Sequence, residues 1–197
     1  MNYYKVITNM LEQQGGIITT AQVSTADIPR QYLSKMVKEN LLRRVDRGIY
    51  AAPEAWEDEM FLLQYKYSKG IFSHETALYI HGFTDRSPIS FVMTFPYGYH
   101  AESIANTSIR MKKVVKNIYD LGIVDGKTAF GNKIRLYDLE RTLCDIVKGT
   151  NNCDIQIVNQ AMKQYAAFKG KNISQLLQYA EQLRVKPKIL AYMEILL

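Results

Sequence analysis

Arg30, Gln31, Ser34 and Lys35 recur at intervals that place them on successive turns of one helix face, beginning at the N-terminal end of a predicted helix. Arginine pairs bidentately with guanine and glutamine with adenine, so such a face can present donors to base edges and to phosphates. A second set follows closely. Arg43, Arg44 and Arg47 flank the predicted tight turn Asp46-Arg47-Gly48, where long cationic arms suit phosphate contact or entry into a minor groove. Tyr32 is read either as packing or as touching the backbone of a bound duplex. Farther on, Arg110, Lys112, Lys113 and Lys116 form another basic cluster. Strand alternation puts Arg110 and Lys112 on one face and Lys113 on the other, so the cluster is either a solvated edge strand guarded by lysines or an extension of a DNA footprint.

Other chemistries are thinly represented. His74 and His81 are seven residues apart on one helix face, which is not the i, i+4 spacing of a zinc-binding pair, and packing or capping is the expected role. Asp125-Gly126-Lys127 matches the acid-x-Lys half of a nuclease metal site, although the glycine there reads as a turn. No phosphate-binding Gly-x-x-x-x-Gly-Lys-Ser/Thr loop and no Gly-x-Ser-x-Gly elbow occurs. The expectation is a non-enzyme with no metal or cofactor. Two alternatives stand beside it: a metal-dependent nuclease using Asp125 and Lys127, and a module that holds a partner protein in a stable complex. Arg141 and Asp145 are four apart and pair along a helix, weakly if exposed and otherwise if buried.

The elements that carry the first two sets can be read from periodicity. Tyr3, Val6, Ile7, Met10 and Leu11 make the apolar stripe of a helix over about 3–14, stopped by Gly15-Gly16. Ile17-Ile18 is a short extended link. Thr19 or Thr20 caps a second helix over about 20–24, and Pro29 suits the first turn of a third, with Leu33, Met36 and Val37 inward and Arg30, Gln31, Ser34, Lys35 and Lys38 outward. From Leu41 the period becomes two, predicting strands over 41–45 and 48–52 joined as a wing. Helix, helix, exposed helix and basic hairpin is the order of a winged helix-turn-helix.

Beyond Pro53 the periodicity predicts a helix over about 55–68 whose face is Trp56, Met60, Leu63 and Tyr67. A further helix spans 73–81, with Ser73 as cap and Gly82 as stop. Strands follow over 89–95 and 109–115, around the aromatic loop Pro96-Tyr97-Gly98-Tyr99-His100. A hairpin spans 127–137 about Gly131-Asn132. Four helices then cover about 138–148, 153–167, 172–184 and 187–196, punctuated by Gly149, Gly170 and Pro187. The fold class is therefore α+β: a winged helix-turn-helix over 1–52, and over 53–197 a mixed domain with a small sheet and a helical tail.

Composition agrees with a packed protein. The 197 residues are 47% hydrophobic and 22% charged, close to ordinary globular usage. No stretch approaches the ~18 apolar residues of a membrane span, and the opening residues lack a signal-peptide layout, so a cytoplasmic protein is expected. Cys144 and Cys153 are read as free thiols. The net charge is +6. Seven basic against four acidic side chains within residues 1–52 place half of that excess in about a quarter of the chain.

Three stretches together resemble the AbiEi family of antitoxins, over nearly the whole chain. They are Leu42-Arg43-Arg44-Val45-Asp46-Arg47-Gly48-Ile49-Tyr50 of the wing, Ser73-His74-Glu75-Thr76-Ala77-Leu78 with His81-Gly82-Phe83-Thr84-Asp85, and Tyr137-Asp138-Leu139-Glu140-Arg141-Thr142-Leu143-Cys144-Asp145. The resemblance implies a bacterial type IV antitoxin linked to abortive phage infection. Its winged helix would bind inverted repeats in the promoter of its own operon as a repressor. Its C-terminal domain would counter an AbiEii-like, nucleotidyltransferase-like toxin without a stable complex. Carried onto this chain, it implies DNA contacts at Arg30, Gln31, Ser34, Lys35, Arg43, Arg44 and Arg47.

Overall fold

A computed structural model describes residues 2–148 and 153–196; the break expected at Gly149 lies outside them. The described chain is α+β, with two small sheets and a helical tail. It divides into two compact units, residues 1–63 with 127–133, and residues 64–126 with 134–197. The sequence places its boundary at 52/53 and does not anticipate that 127–133 joins the first unit.

In the first unit, helix α1 (Tyr3–Gln13) leads into strand β1 (Ile17–Thr19), α2 (Thr20–Thr25) and α3 (Gln31–Lys38), and the chain returns as β2 (Arg43–Asp46) and β3 (Ile49–Ala51). The strands form an antiparallel sheet in the order β1-β3-β2. This arrangement is consistent with a winged helix-turn-helix. Thr19 caps α2 through a capping box: its hydroxyl accepts from Gln22 N–H, and the Gln22 side chain accepts from the Thr19 N–H at 2.8 Å. Ile7, Leu11, Ile18, Val23, Ile28, Leu33, Met36 and Leu42 form the core, so the 3.6-residue stripes of α1 and α3 face each other as the periodicity predicts.

Two details of this unit differ from the sequence reading. Pro29 precedes α3 rather than occupying its first turn, because the chain enters through i→i+3 bonds, Tyr32 N–H to Pro29 C=O and Leu33 N–H to Arg30 C=O. The wing is tighter than expected. Leu41 and Leu42 precede β2, and the register slips at Val45, between the pairs Arg44↔Tyr50 and Asp46↔Ile49. Gly48 turns the hairpin at φ +78°, where a side chain would be strained.

The predicted helix over 55–68 is shorter, α4 (Glu59–Lys66). Asp58 is the reason. One of its carboxylate oxygens accepts from the Phe61 N–H at 3.1 Å, starting the helix there, while the other accepts from Thr128 Oγ1 at 2.5 Å and Asn132 Nδ2 at 2.8 Å. Trp56 therefore lies outside the helix and is exposed rather than sharing a buried face with Leu63 and Tyr67.

The second unit holds a five-stranded sheet in the order β6-β5-β4-β8-β7, from β4 (Ile71–Phe72), β5 (Phe91–Pro96), β6 (Ile109–Val114), β7 (Ile123–Lys127) and β8 (Lys133–Tyr137). β6 lies at an edge, parallel to β5. The helices are α5 (His74–Ile80), α6 (Lys116–Tyr119), α7 (Leu139–Val147), α8 (Ile155–Ala167), α9 (Ile173–Gln182) and α10 (Lys186–Leu196). Leu143, Ala161, Met162, Tyr165, Leu176 and Ile189 centre the helical core. The strand expected to start at Lys127 ends there, so Asp125-Gly126-Lys127 is strand and not turn. Gly126 is required for a packing reason: a Cβ there would meet Leu136 Cδ2 on the neighbouring strand at 2.4 Å. Ser73 precedes α5 without capping it, because its hydroxyl is held by Thr94.

Candidate nucleic-acid interface

Helix α3 presents Gln31, Ser34, Lys35 and Lys38 to solvent along one face, opposite buried Leu33 and Met36. Arg30, exposed at the N-terminal end, donates from Nε to Ser24 Oγ at 2.8 Å, which braces its guanidinium against α2. Lys35 Nζ sits 5.1 Å from the centroid of the Tyr32 ring. Tyr32 itself packs on Tyr3, centroids 4.8 Å apart, and edge-on to Tyr4 at 5.9 Å. Of its two readings, the structure favours packing: it docks α3 on α1 and holds the exposed face rigid.

The wing arginines separate. Arg44 and Arg47 are exposed, and the Arg47 N–H donates to Asp46 Oδ1 at 2.6 Å, which shapes the turn. Arg43 is half-buried and tethered, donating from Nη1 to Glu57 at 3.2 Å and from Nη2 to the Ala55 carbonyl at 2.9 Å. The structure thus brings Arg30, Gln31, Ser34 and Lys35 together on one helical edge, adds Lys38 to their face, and leaves Arg44 and Arg47 as the extended arms of the wing.

The second basic cluster is partly engaged in ion pairs. Arg110 pairs with Glu75 at 3.0 Å and Lys116 with Asp120 at 2.6 Å, while Lys112 is half-buried and Lys113 exposed on β6. Charged residues along an outermost strand are the usual protection of an edge.

In the second unit the remaining motifs meet as a buried polar assembly. Ser73 Oγ lies 2.9 Å from His74 Nδ1 and accepts from Thr94 Oγ1 at 2.9 Å, while Thr76 Oγ1 accepts from the Val92 N–H. His74 has φ +52°, and burial pushes its pKa down. Arg141, with no exposed surface, lies over the Tyr137 ring at 4.2 Å, donates to the Leu121 and Ile118 carbonyls, and pairs with Asp145. Glu140 accepts from Tyr165 OH at 2.8 Å and the Asn172 N–H at 3.0 Å, joining α7 to α8 and to the start of α9. His81 Nε2 lies 2.8 Å from the Tyr137 carbonyl. These contacts give the histidines and the Asp138–Asp145 stretch packing roles. Both thiols are free, and burial raises Cys144 strongly and Cys153 to about 12, so neither is an activated nucleophile. Among the described residues no three His, Cys, Asp or Glu side chains group as a metal site, and no helix is long and apolar enough to cross a membrane.

An exposed polar helix beside a basic hairpin, on a frame of α1, α2 and a three-stranded sheet, defines the class of the first unit as a helix-turn-helix module. Residues 6–53, which run from within α1 to the end of the wing, match the family model described as the transcriptional regulator AbiEi antitoxin, in agreement with the resemblance carried by the wing. The Ser73–Asp85 and Tyr137–Asp145 stretches lie outside the matched residues. No curated protein matches the chain. Among solved structures, the crystal structure of the RV2827C protein from Mycobacterium tuberculosis aligns with 97% of this chain and 80% of that one, at 11% identity and a TM-score of 0.49.

Proposed function

We propose that the chain is a bacterial antitoxin that represses its own operon by binding inverted repeats in the promoter, and that it counters a nucleotidyltransferase-like toxin of the AbiEii kind. The family match over residues 6–53 supports the regulatory role. The observation that carries the DNA reading is the joint exposure of Arg30, Gln31, Ser34, Lys35 and Lys38 on and beside α3 with Arg44 and Arg47 on the wing. Gln31 and Ser34 read base edges at the start of α3, and Arg30, Lys35, Lys38 and the wing hold phosphates. Arg43 contributes by holding the wing to the 55–57 segment rather than by reaching DNA. One such module reads a short half-site, so two copies occupy a repeat. The role is stoichiometric binding, not turnover. The second unit carries the toxin-directed function, in the cytoplasm and without a stable toxin complex.

An electrophoretic shift of the promoter duplex by the full chain tests this. Specific retardation that survives excess unrelated duplex supports it; equal retardation of any duplex, or none, counts against it.

A further inference from the structure

A cleft of about 540 Å³ opens in the second unit between the Ser68-Lys69 turn, the Pro96–Tyr99 loop, α6, the start of β7 and the middle of β8. Its walls combine aromatic rings and cations. Tyr97 is 80% exposed. Tyr99 stacks on fully buried Phe95, centroids 4.7 Å apart and planes 17° from parallel, so its ring is fixed from behind. Tyr119 closes the cleft by donating its hydroxyl to the Lys69 carbonyl at 2.6 Å. Lys69 and Lys116 are exposed, and Arg135 is braced against the Ser68 carbonyl. Asp120, which pairs with Lys116, is the one acid among the lining residues described.

We propose that this cleft binds a short single-stranded stretch of polynucleotide, with bases stacked on Tyr97 and Tyr99 and phosphates held by Lys69 and Arg135. Tyrosine faces accept any base, because every base has a π-face, and a groove of separate cations follows a backbone carrying one charge per phosphate. The volume falls within the ordinary range of ligand pockets, about 300–1,000 Å³, so only a short stretch lies inside. The lining favours a polynucleotide over a nucleoside triphosphate. A triphosphate is commonly cradled by successive backbone N–H groups of a Gly-x-x-x-x-Gly-Lys-Ser/Thr loop; the Gly126-Lys127-Thr128 run lacks that spacing, closes strand β7 and does not line the cleft. This site is separate in sequence from the duplex-binding face proposed for α3 and the wing, and it stands whether or not that reading holds.

The test is fluorescence polarisation of a fluorescein-labelled ten-nucleotide oligo(dT) with the full chain in low salt, with ATP as competitor. Tyr97→Ala, at an exposed position, weakens binding by roughly tenfold or more, and Tyr97→Phe retains it. Lys69→Gln makes the slope of log K against log salt shallower by about 0.7. Arg44→Ala with Arg47→Ala leaves oligo(dT) affinity unchanged, and circular dichroism confirms that each variant is folded. Absence of oligo(dT) binding, binding indifferent to Tyr97→Ala and Lys69→Gln, binding lost in the wing variant, or ATP binding as tightly as the oligomer would each overturn the proposal.

Discussion

Arg141 Nε lies 3.2 Å from each carboxylate oxygen of Asp145, one turn farther along α7, and neither side chain is significantly exposed. An i, i+4 pair on a solvated helix is worth only ~0.3–0.5 kcal/mol. Burial changes the sign of what its loss means. Arg141→Met leaves a carboxylate without its guanidinium in the core and is expected to cost about 3–5 kcal/mol in urea unfolding. Arg141→Met combined with Asp145→Leu removes both charges and is expected to be less destabilised than Arg141→Met alone. If the double variant were the worse of the two, the Asp145 carboxylate would be stabilised by groups other than Arg141, contrary to this expectation.

His74 gives the second unit an acid-side weakness. Burial, with smaller contributions from Lys112 and Arg141, lowers its pKa against the opposing pull of Asp145 and Glu75. The unfolded chain therefore binds this proton more readily than the folded one. The contribution to stability is complete above the ordinary value of about 6.5 and declines as pH falls below it, by up to ~1.4 kcal/mol per pH unit until the folded value is reached. Asparagine tolerates positive φ better than most residues. Denaturation of wild type and His74→Asn at pH 7.5 and 5.5 should show a smaller loss in the variant; equal losses would place the acid sensitivity elsewhere.

Asp58 joins the start of α4 to the 128–132 turn within the first unit, through Phe61, Thr128 and Asn132. Asp58→Ala removes a helix cap and leaves two buried donors unsatisfied. A loss of roughly 2–4 kcal/mol is expected. Asp58→Asn should cost less, because it keeps one acceptor oxygen, and thermal unfolding of the two variants checks the order.

What sequence reveals about this fold follows from the range of each signal. Helices α1, α2 and α8 to α10 and the order of the wing were legible because their periodicity and caps are local, as in the Thr19–Gln22 capping box. The start of α4 was not, because Asp58 chooses its partners about seventy residues away. Nor was the strand character of Asp125–Lys127: a glycine that usually marks a turn is there to clear Leu136. At the candidate interface, spacing alone grouped Arg30, Gln31, Ser34 and Lys35. It did not separate Arg43 from Arg44 and Arg47, since only the fold brings Glu57 and the Ala55 carbonyl to Arg43. The aromatic loop 96–100 was visible as a pattern, but its cations, Lys69 and Arg135, come from distant parts of the chain.

Substitutions on the two parts of the interface should differ in kind. Gln31→Ala is expected to cost ~1–3 kcal/mol on the cognate repeat and little on unrelated duplex, whereas Arg47→Ala should weaken both about equally. Arg43→Ala acts through the wing's shape, so it should lower thermal stability as well as affinity. Competition titrations with cognate and scrambled duplexes distinguish these outcomes.

A cationic helix and wing in the first unit are proposed to hold duplex DNA. Five exposed cations, Arg30, Lys35, Lys38, Arg44 and Arg47, lie on that surface. Titrating the full chain with its promoter duplex across a series of salt concentrations should give a slope of log K against log salt near −4.5, at ~0.9 per neutralised phosphate, and Arg47→Ala should make it shallower by about one. A slope near zero, or one that Arg47→Ala leaves untouched, would mean that this surface does not hold phosphates.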